Sequence, residues 1–386
     1  MIPLYDKNNV KLWHGDALEV LKSMPNESVD CCITSPPYWA VRDFGDKNQI
    51  GLEEHPQEYI DKIVKIMKEL KRIIKKDGSI WLNLGDSYYS KSGSGQGSNY
   101  KQRHEQLDGG AGILKKAHTE TRGKFKSNWL QNKQRLLIPS RIAIKCQDEL
   151  GLILRNDIHW VKQIVNIKSQ ESFGCAMPTS IQDRLNTVAE FIFFFVKQND
   201  YYFNLDEIRI PHKLATINRA LYGFNETEGN LKHYSVRASG INSFSNKIKE
   251  MVEIDKDKKY VSMFEGKTSH SIRKCPSDEE GYNIKGRNPG DCLMFPFEPS
   301  KLKHFAMFPS TLPLLCILAG CPQGGVVLDP FGGTMTTGVV AIKLGRKFWG
   351  IDINKDYLEK IAIPRIEKEF GLFDNPKPLM ERENKG

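Results

Sequence analysis

Along the first ninety residues, apolar positions alternate between short unbroken runs and longer stretches at helical spacing. "NVKLWHGD" and "VDCCITS" read as buried strands, with a helix over Leu18 to Met24 between them. "PQEYIDKIVKIMKELKRIIKKDG" carries apolar residues on one helical face and is predicted to stop at Gly78, and "SIWLNLGD" follows as another strand. Strand, helix, strand in this rhythm predicts parallel pairing in an α/β sheet. The pattern fails from Ser90 to about Asn132, where Gly, Ser and charge dominate and a mobile loop is expected. It resumes with a helix near Pro139 to Leu150 and the strands "LILRNDIHWVK" and "AEFIFFFVK". Residues 211 to about 290 turn polar and irregular, as an inserted smaller domain would. The last hundred residues return to order. "HFAMFPSTLPLLCILAG" reads as a helix, "GGVVLDPF" as a strand, "GGTMTTGVVAIKLG" as turn plus helix, "RKFWGIDIN" as a strand and "KDYLEKIAIPRIEKEF" as a closing helix.

Charge sharpens this picture. The 386 residues carry a net charge of +9, and Lys91 to Lys145 alone hold twelve Lys and Arg against three acids. That one segment accounts for the whole excess, the footprint expected for a polyanionic partner. The apolar runs are too short to span a bilayer and no export signal opens the chain, so a cytoplasmic protein is expected. Eight scattered cysteines without a C-x-x-C pair read as reduced thiols, and no metal-ligand cluster is visible.

The C-terminal half holds a nucleoside-type turn. Gly332 and Gly333 follow an apolar strand and precede a helix whose first N–H groups are free. Asp352 lies twenty residues on from Gly332, at the next strand end, where a carboxylate can accept both hydroxyls of a ribose. The spacing G-G-T-M-T-T-G lacks the dinucleotide pattern G-x-G-x-x-G. Asp329, just before the turn, would repel a diphosphate but suits the ammonium of an amino-acid cofactor.

In the N-terminal half, "CCITSPPYWAVRDFG" sets Pro36 and Pro37 directly after a strand. A rigid corner there presents a backbone carbonyl that cannot swing away, the Ser35 hydroxyl and the Tyr38 ring. Such acceptors suit the exocyclic amine of a nucleobase, whose lone pair is delocalised until its hydrogens are held in fixed hydrogen bonds. Stacking on an aromatic would offset the stacking lost when the base leaves the duplex.

S-P-P-Y after a strand, with D-P-F-G-G near the C-terminus, resembles the amino-group DNA methyltransferases that use S-adenosylmethionine, in the block order of their beta group. "GDALEVLKSMPNESVD", "RNDIHWVK", "DRLNTVAEFIFFFVK" and "HFAMFPSTL" extend the resemblance to about two thirds of the chain. It implies a Rossmann-like sheet of seven mostly parallel strands, one antiparallel. The catalytic half would span 1–204 with its basic loop at 90–132, the target-recognition domain 205–290 and the cofactor half 291–386. It implies catalysis at Ser35, Pro36, Pro37 and Tyr38, and cofactor binding by Asp16, Phe305, Pro309, Asp329, Phe331, Gly332, Gly333, Thr334 and Asp352. Trp39, Arg42, Lys115, Lys116, Arg122, Lys124 and Lys126 are expected at the DNA. Ser rather than Asp before the prolines favours cytosine N4 over adenine N6, with RNA or protein glutamine as more distant alternatives. The partners implied are duplex DNA and, in a restriction setting, a cognate endonuclease, for a monomeric or homodimeric enzyme of bacterial, archaeal or phage origin. Asp86 is expected either to shape the pocket or to cap a turn, and His14, His159 and His304 to be structural.

Overall fold

The computed structural model describes residues 1–41, 46, 48–89, 130–176, 179, 181–212, 285–295 and 308–370. The chain divides into two units, one made of Met1–Phe203 with Asp291–Gly386 and the other of Asn204–Gly290. The strands of the larger unit are β1 (Tyr5–Lys7), β2 (Val10–His14), β3 (Val29–Thr34), β4 (Ile74–Leu84), β5 (Ile153–Val161), β6 (Gln163–Val165), β7 (Ser172–Gly174), β8 (Ala189–Val196), β9 (Cys292–Met294), β10 (Val326–Asp329) and β11 (Lys347–Asp352). Its helices include α1 (Ala17–Lys22), α2 (Pro56–Ile73), α3 (Ile138–Asp148), α4 (Thr311–Gly320), α5 (Thr336–Lys343) and α6 (Ile363–Phe370).

One sheet runs in the order β1-β2-β11-β10-β3-β4-β8-β5-β9. The seven strands from β2 to β5 are the expected Rossmann-like methyltransferase sheet, parallel except for β8. Two three-residue strands extend it, β1 antiparallel to β2 and β9 parallel to β5. Both faces of the centre are covered, which is why β3 and β8 read as apolar runs broken by one acid each rather than as alternating strands. Cys32, Ile80, Leu82, Phe193 and Phe195 join the core cluster that also takes in Val20, Leu21, Ile63, Leu70 and Ile142 from α1, α2 and α3. On another side of the sheet Trp81 stacks on Phe194 at 4.2 Å. α4 comes so close there that a Cβ on Gly320 would lie 2.6 Å from the Trp81 indole nitrogen.

Two boundaries differ from expectation. α2 ends at Ile73, not at Gly78, because Ile74 turns extended and pairs with Val29. Gly78 instead serves a register shift between Val29 and Cys31, where a Cβ would sit 2.6 Å from the Asp30 carbonyl oxygen. The closing helix is broken: a π turn over Leu358–Ala362 precedes α6. Pro364, with no N–H to give, prevents the regular ladder from running through. Of the second unit, the described residues form a 3₁₀ turn at Leu205–Ile208 and a bridge between Ile210 and Arg287, with Asp206 paired to Arg209 and Lys285.

Candidate active site

Five parallel strands, β2, β11, β10, β3 and β4, lie side by side and end at one edge of the sheet, where α/β folds place ligands. Although 295 residues separate them, Thr34 after the β3 core and Asp329 at the end of β10 meet there: the Thr34 hydroxyl donates to Asp329 Oδ1 at 2.9 Å. That bond ties the proline corner to the glycine turn.

The turn is built by backbone contacts. Gly332 N donates to the Ile351 carbonyl at 2.9 Å, Gly333 takes a φ of +53°, and Gly333 N donates to Asp352 Oδ2 at 2.8 Å. Asp352 Oδ1 accepts from Asn354 N at 2.8 Å. Gly15 N donates to the Asp352 carbonyl, so the end of β2 and half-buried Asp16 stand beside it. Asp16 caps α1 by accepting from Glu19 N. Phe331 is half-buried over the turn, and Pro309 is buried just ahead of α4. The acids and backbone N–H groups gathered there fit a nucleoside with an amino-acid tail better than a diphosphate.

At the corner, one edge of the Tyr38 ring packs against Gly85, just after β4; a Cβ there would stand 2.6 Å from its Cε2. The Tyr38 hydroxyl donates to Glu190 Oε2 at 2.6 Å, and Ser35 Oγ donates to the Tyr38 hydroxyl at 3.4 Å. Asn83 Nδ2 reaches the Tyr38 hydroxyl at 3.0 Å, and Ser35 Oγ and Glu190 Oε2 at 3.3 Å each. Lys162 pairs with the other oxygen of Glu190. Burial first, then the charge of Glu190, holds the Tyr38 hydroxyl well above its usual pKa, so it stays protonated.

Residues 29–363 match the family model described as DNA methylase. The chain belongs to the N6/N4 DNA methylase family. The type II methyltransferase M.SfiI of Streptomyces fimbriatus is 31% identical over 411 residues, spanning 90% of this chain and 89% of that protein. The type II methyltransferase M.SmaI of Serratia marcescens is 29% identical over 347 residues, spanning 90% and 87%. Among solved structures, the PvuII DNA methyltransferase (cytosine-N4-specific) aligns with a TM-score of 0.54 at 18% identity, covering 97% of this chain and 94% of that one, a likeness of fold.

Within this methylase, several expected site residues stand elsewhere. Trp39 does not face a nucleic acid: it is 2% exposed in the core, with its indole nitrogen donating to the Glu53 carbonyl at 2.9 Å. Asp329 does not open to an ammonium. It is 1% exposed and holds Thr34, Thr337 and Phe331 N from beneath the turn. Thr334 is equally buried and bonded to Arg365 of α6. Asp86 is a cap, taking Arg135 and the backbone N–H of Leu137 and Ile138 at the start of α3. Phe305, Arg42, Lys115, Lys116, Arg122, Lys124 and Lys126 lie outside the described residues. No helix among the described residues is long and apolar enough to cross a membrane.

Burial raises the Asp329 pKa to about 6, the bonds to Thr337 and Thr34 opposing it. The native state therefore holds a proton there that the unfolded chain releases near its ordinary pKa of 3.8. Stability from this group is fully present below that value and falls as pH rises towards about 6, by about 3 kcal/mol in all. Asp329→Asn removes the titration. In urea unfolding from pH 4 to 7, the stability difference should move by about 2 kcal/mol in favour of the variant. A constant difference would mean the carboxyl titrates at its ordinary value.

Proposed function

We propose that this methylase transfers a methyl group from S-adenosylmethionine to the exocyclic N4 of cytosine at a specific site in duplex DNA, with the base flipped out of the helix. The observation that carries this is the Thr34–Asp329 bond, which sets the acceptor corner beside the nucleoside turn. Asp352 and Asp16 hold the adenosine end, and Phe331, Gly332, Gly333 and Pro309 line the rest, with Asp329 and Thr334 keeping the turn in shape. Bound there, the cofactor supplies a methyl on a sulfonium, whose sulfur keeps the electron pair as the methyl leaves. The chain's own part is to hold the amine: the carbonyl within the Pro36-Pro37 corner and Ser35 Oγ accept its hydrogens, and the Tyr38 ring stacks on the base.

Cytosine is favoured over adenine because Ser35 is neutral where an acid would stand for the other base. Residues 205–290 serve as the target-recognition domain, and the segment over 90–132, with Arg42, closes on phosphates. The homologous type II enzymes suggest a companion endonuclease in a bacterial cytoplasm.

Purified protein, labelled cofactor and unmethylated DNA, digested to nucleosides and read by mass spectrometry, test this directly. N4-methylcytosine is expected. N6-methyladenine would overturn the meaning of Ser35, and no labelled base would overturn the nucleobase assignment. Replacing Lys115, Lys116, Lys124 and Lys126 by Ala should lower the slope of log affinity against log salt by about three to four. An unchanged slope would take that segment away from the phosphates.

A further inference from the structure

The corner ends in a half-buried acid that the proposed methyl transfer does not use. Glu190 is the second residue of β8, across from Trp160 of β5, and lies one position before Phe191, which pairs with Leu84 of β4. It thus stands at the same sheet edge as the catalytic corner, with its side chain 16% exposed. Three polar groups from three segments converge on it, Tyr38 from the corner, Asn83 from β4 and Lys162 after β5, and Ser35 of the same corner joins them through Tyr38. A surface ion pair between Glu190 and Lys162 would need neither the tyrosine nor the asparagine.

The direction of the hydrogens is set by Glu190, whose carboxylate only accepts, so that Tyr38 donates to it and is left to accept from Ser35. Asn83 stands the same way round, with Nδ2 turned to the cluster and Oδ1 buried without a hydrogen bond. Its Nδ2 can only donate, so a hydroxyl oxygen that accepts from it must send its own hydrogen elsewhere. Ser35 Oγ accepts from Asn83 at 3.3 Å, and its hydrogen points to Tyr38 at 3.4 Å. The Tyr38 hydroxyl accepts from both and sends its hydrogen to Glu190 at 2.6 Å. The result is a one-way chain of hydroxyls running from the corner to a carboxylate. Its longest link is the one nearest the substrate, and such contacts tighten when the reacting complex forms.

We propose that Glu190 is the terminal proton acceptor of the methylation, reached from the target amine through Ser35 and Tyr38. This rests on the reading of the corner as the amine site and holds for either nucleobase. An amine that has taken a methyl group is cationic and must lose one proton. Its N–H bond breaks as Ser35 Oγ gains a hydrogen. The original Ser35 hydrogen passes to Tyr38, and the original Tyr38 hydrogen to Glu190 Oε2. Both hydroxyls end as they began, the amine is neutral and Glu190 is protonated. Its partial exposure then lets it return the proton to water. Lys162 supplies the opposite charge that keeps a carboxylate tolerable at this depth.

Glu190→Gln keeps the shape and an acceptor for Tyr38 but removes the base. Single-turnover methylation should fall about ten- to a hundred-fold, with cofactor and DNA dissociation constants within twofold of wild type. The wild-type rate should also show an acid limb in its pH profile, and that limb should be absent from the variant. Tyr38→Phe should cost a similar factor, and the double variant no more than the worse single one, because both cut one relay. Should Glu190→Gln fail to fold beside the Lys162 charge, Lys162→Met with Glu190→Gln carries the same test. A variant rate within twofold of wild type overturns the proposal, and so does a rate loss that leaves the acid limb in place. Wild-type protein that methylates no base would instead overturn the function proposed above.

Discussion

Asp352→Ala should weaken S-adenosylmethionine binding by at least tenfold, and by as much as a hundredfold, while the affinity for DNA stays near that of wild type. The carboxylate is half-buried at the end of β11, and its oxygens each accept one backbone N–H, from Gly333 and from Asn354. Each oxygen retains a second acceptor position for a ribose hydroxyl. Two hydrogen bonds to a charged group are worth about 1.5–3 kcal/mol each before competition with water, and every 1.4 kcal/mol is tenfold in affinity. Alanine also leaves Gly333 N without its partner, which loosens the turn itself. Asp352→Asn keeps one acceptor oxygen and so should fall between the two. Calorimetric titration of the cofactor reads the effect, and thermal unfolding shows whether the fold survives. A dissociation constant within twofold of wild type in the alanine variant would remove the ribose role from Asp352.

Much of the sheet was legible because its order is written in apolar runs that end in chemistry. β3 runs into the proline corner, β10 into Asp329 and β11 into Asp352. What the linear chain could not show is which ends are neighbours. Glu190 reads as a single charge in "AEFIFFFV" and Lys162 as the last letter of "HWVK". Both become part of the site only because β8 pairs antiparallel with β4 and with β5. Asn83 is one polar residue inside an apolar strand, and its single signal is that a buried amide needs partners. Trp39 misled for the converse reason. An aromatic after the corner suits a pocket wall and a core alike, and the Glu53 carbonyl that fixes it in the core lies fourteen residues on. Ile73 and Ile74 satisfy helix and strand periodicities at once, so the end of α2 was not marked. Asp329 shows how burial changes a role: an acid read as a ligand for an ammonium becomes the post that joins the two halves of the site.

The corner depends on a residue with no side chain, and Gly85→Ala should lower the methylation rate on the order of a hundredfold while leaving cofactor affinity almost unchanged. A Cβ at Gly85 would stand 2.6 Å from Tyr38 Cε2, nearer than real carbon contacts allow, and a tight 3.0 Å from Cδ2. Gly85 is not in the left-handed region, so the backbone accepts alanine and the strain falls on the ring. The ring cannot yield freely, because its hydroxyl is held by Glu190 and Asn83 on the far side. Nor can the backbone beyond it. The Tyr38 carbonyl accepts Val41 N, and a Cβ on Gly51 would already be 3.1 Å from that same carbonyl oxygen. The ring must therefore tilt, taking with it the face on which the base stacks and the link between Ser35 and Glu190. A displacement of about 1 Å in a reacting group costs on the order of a hundredfold in rate. The glycine turn lies on other strands, β10 and β11, and makes no use of Tyr38, so cofactor titration should be blind to the change. Single-turnover methylation measured beside cofactor binding separates the two. A rate within threefold of wild type would mean that the Tyr38 ring is not held where catalysis needs it, and an equal loss in both would move the defect from the corner to the fold.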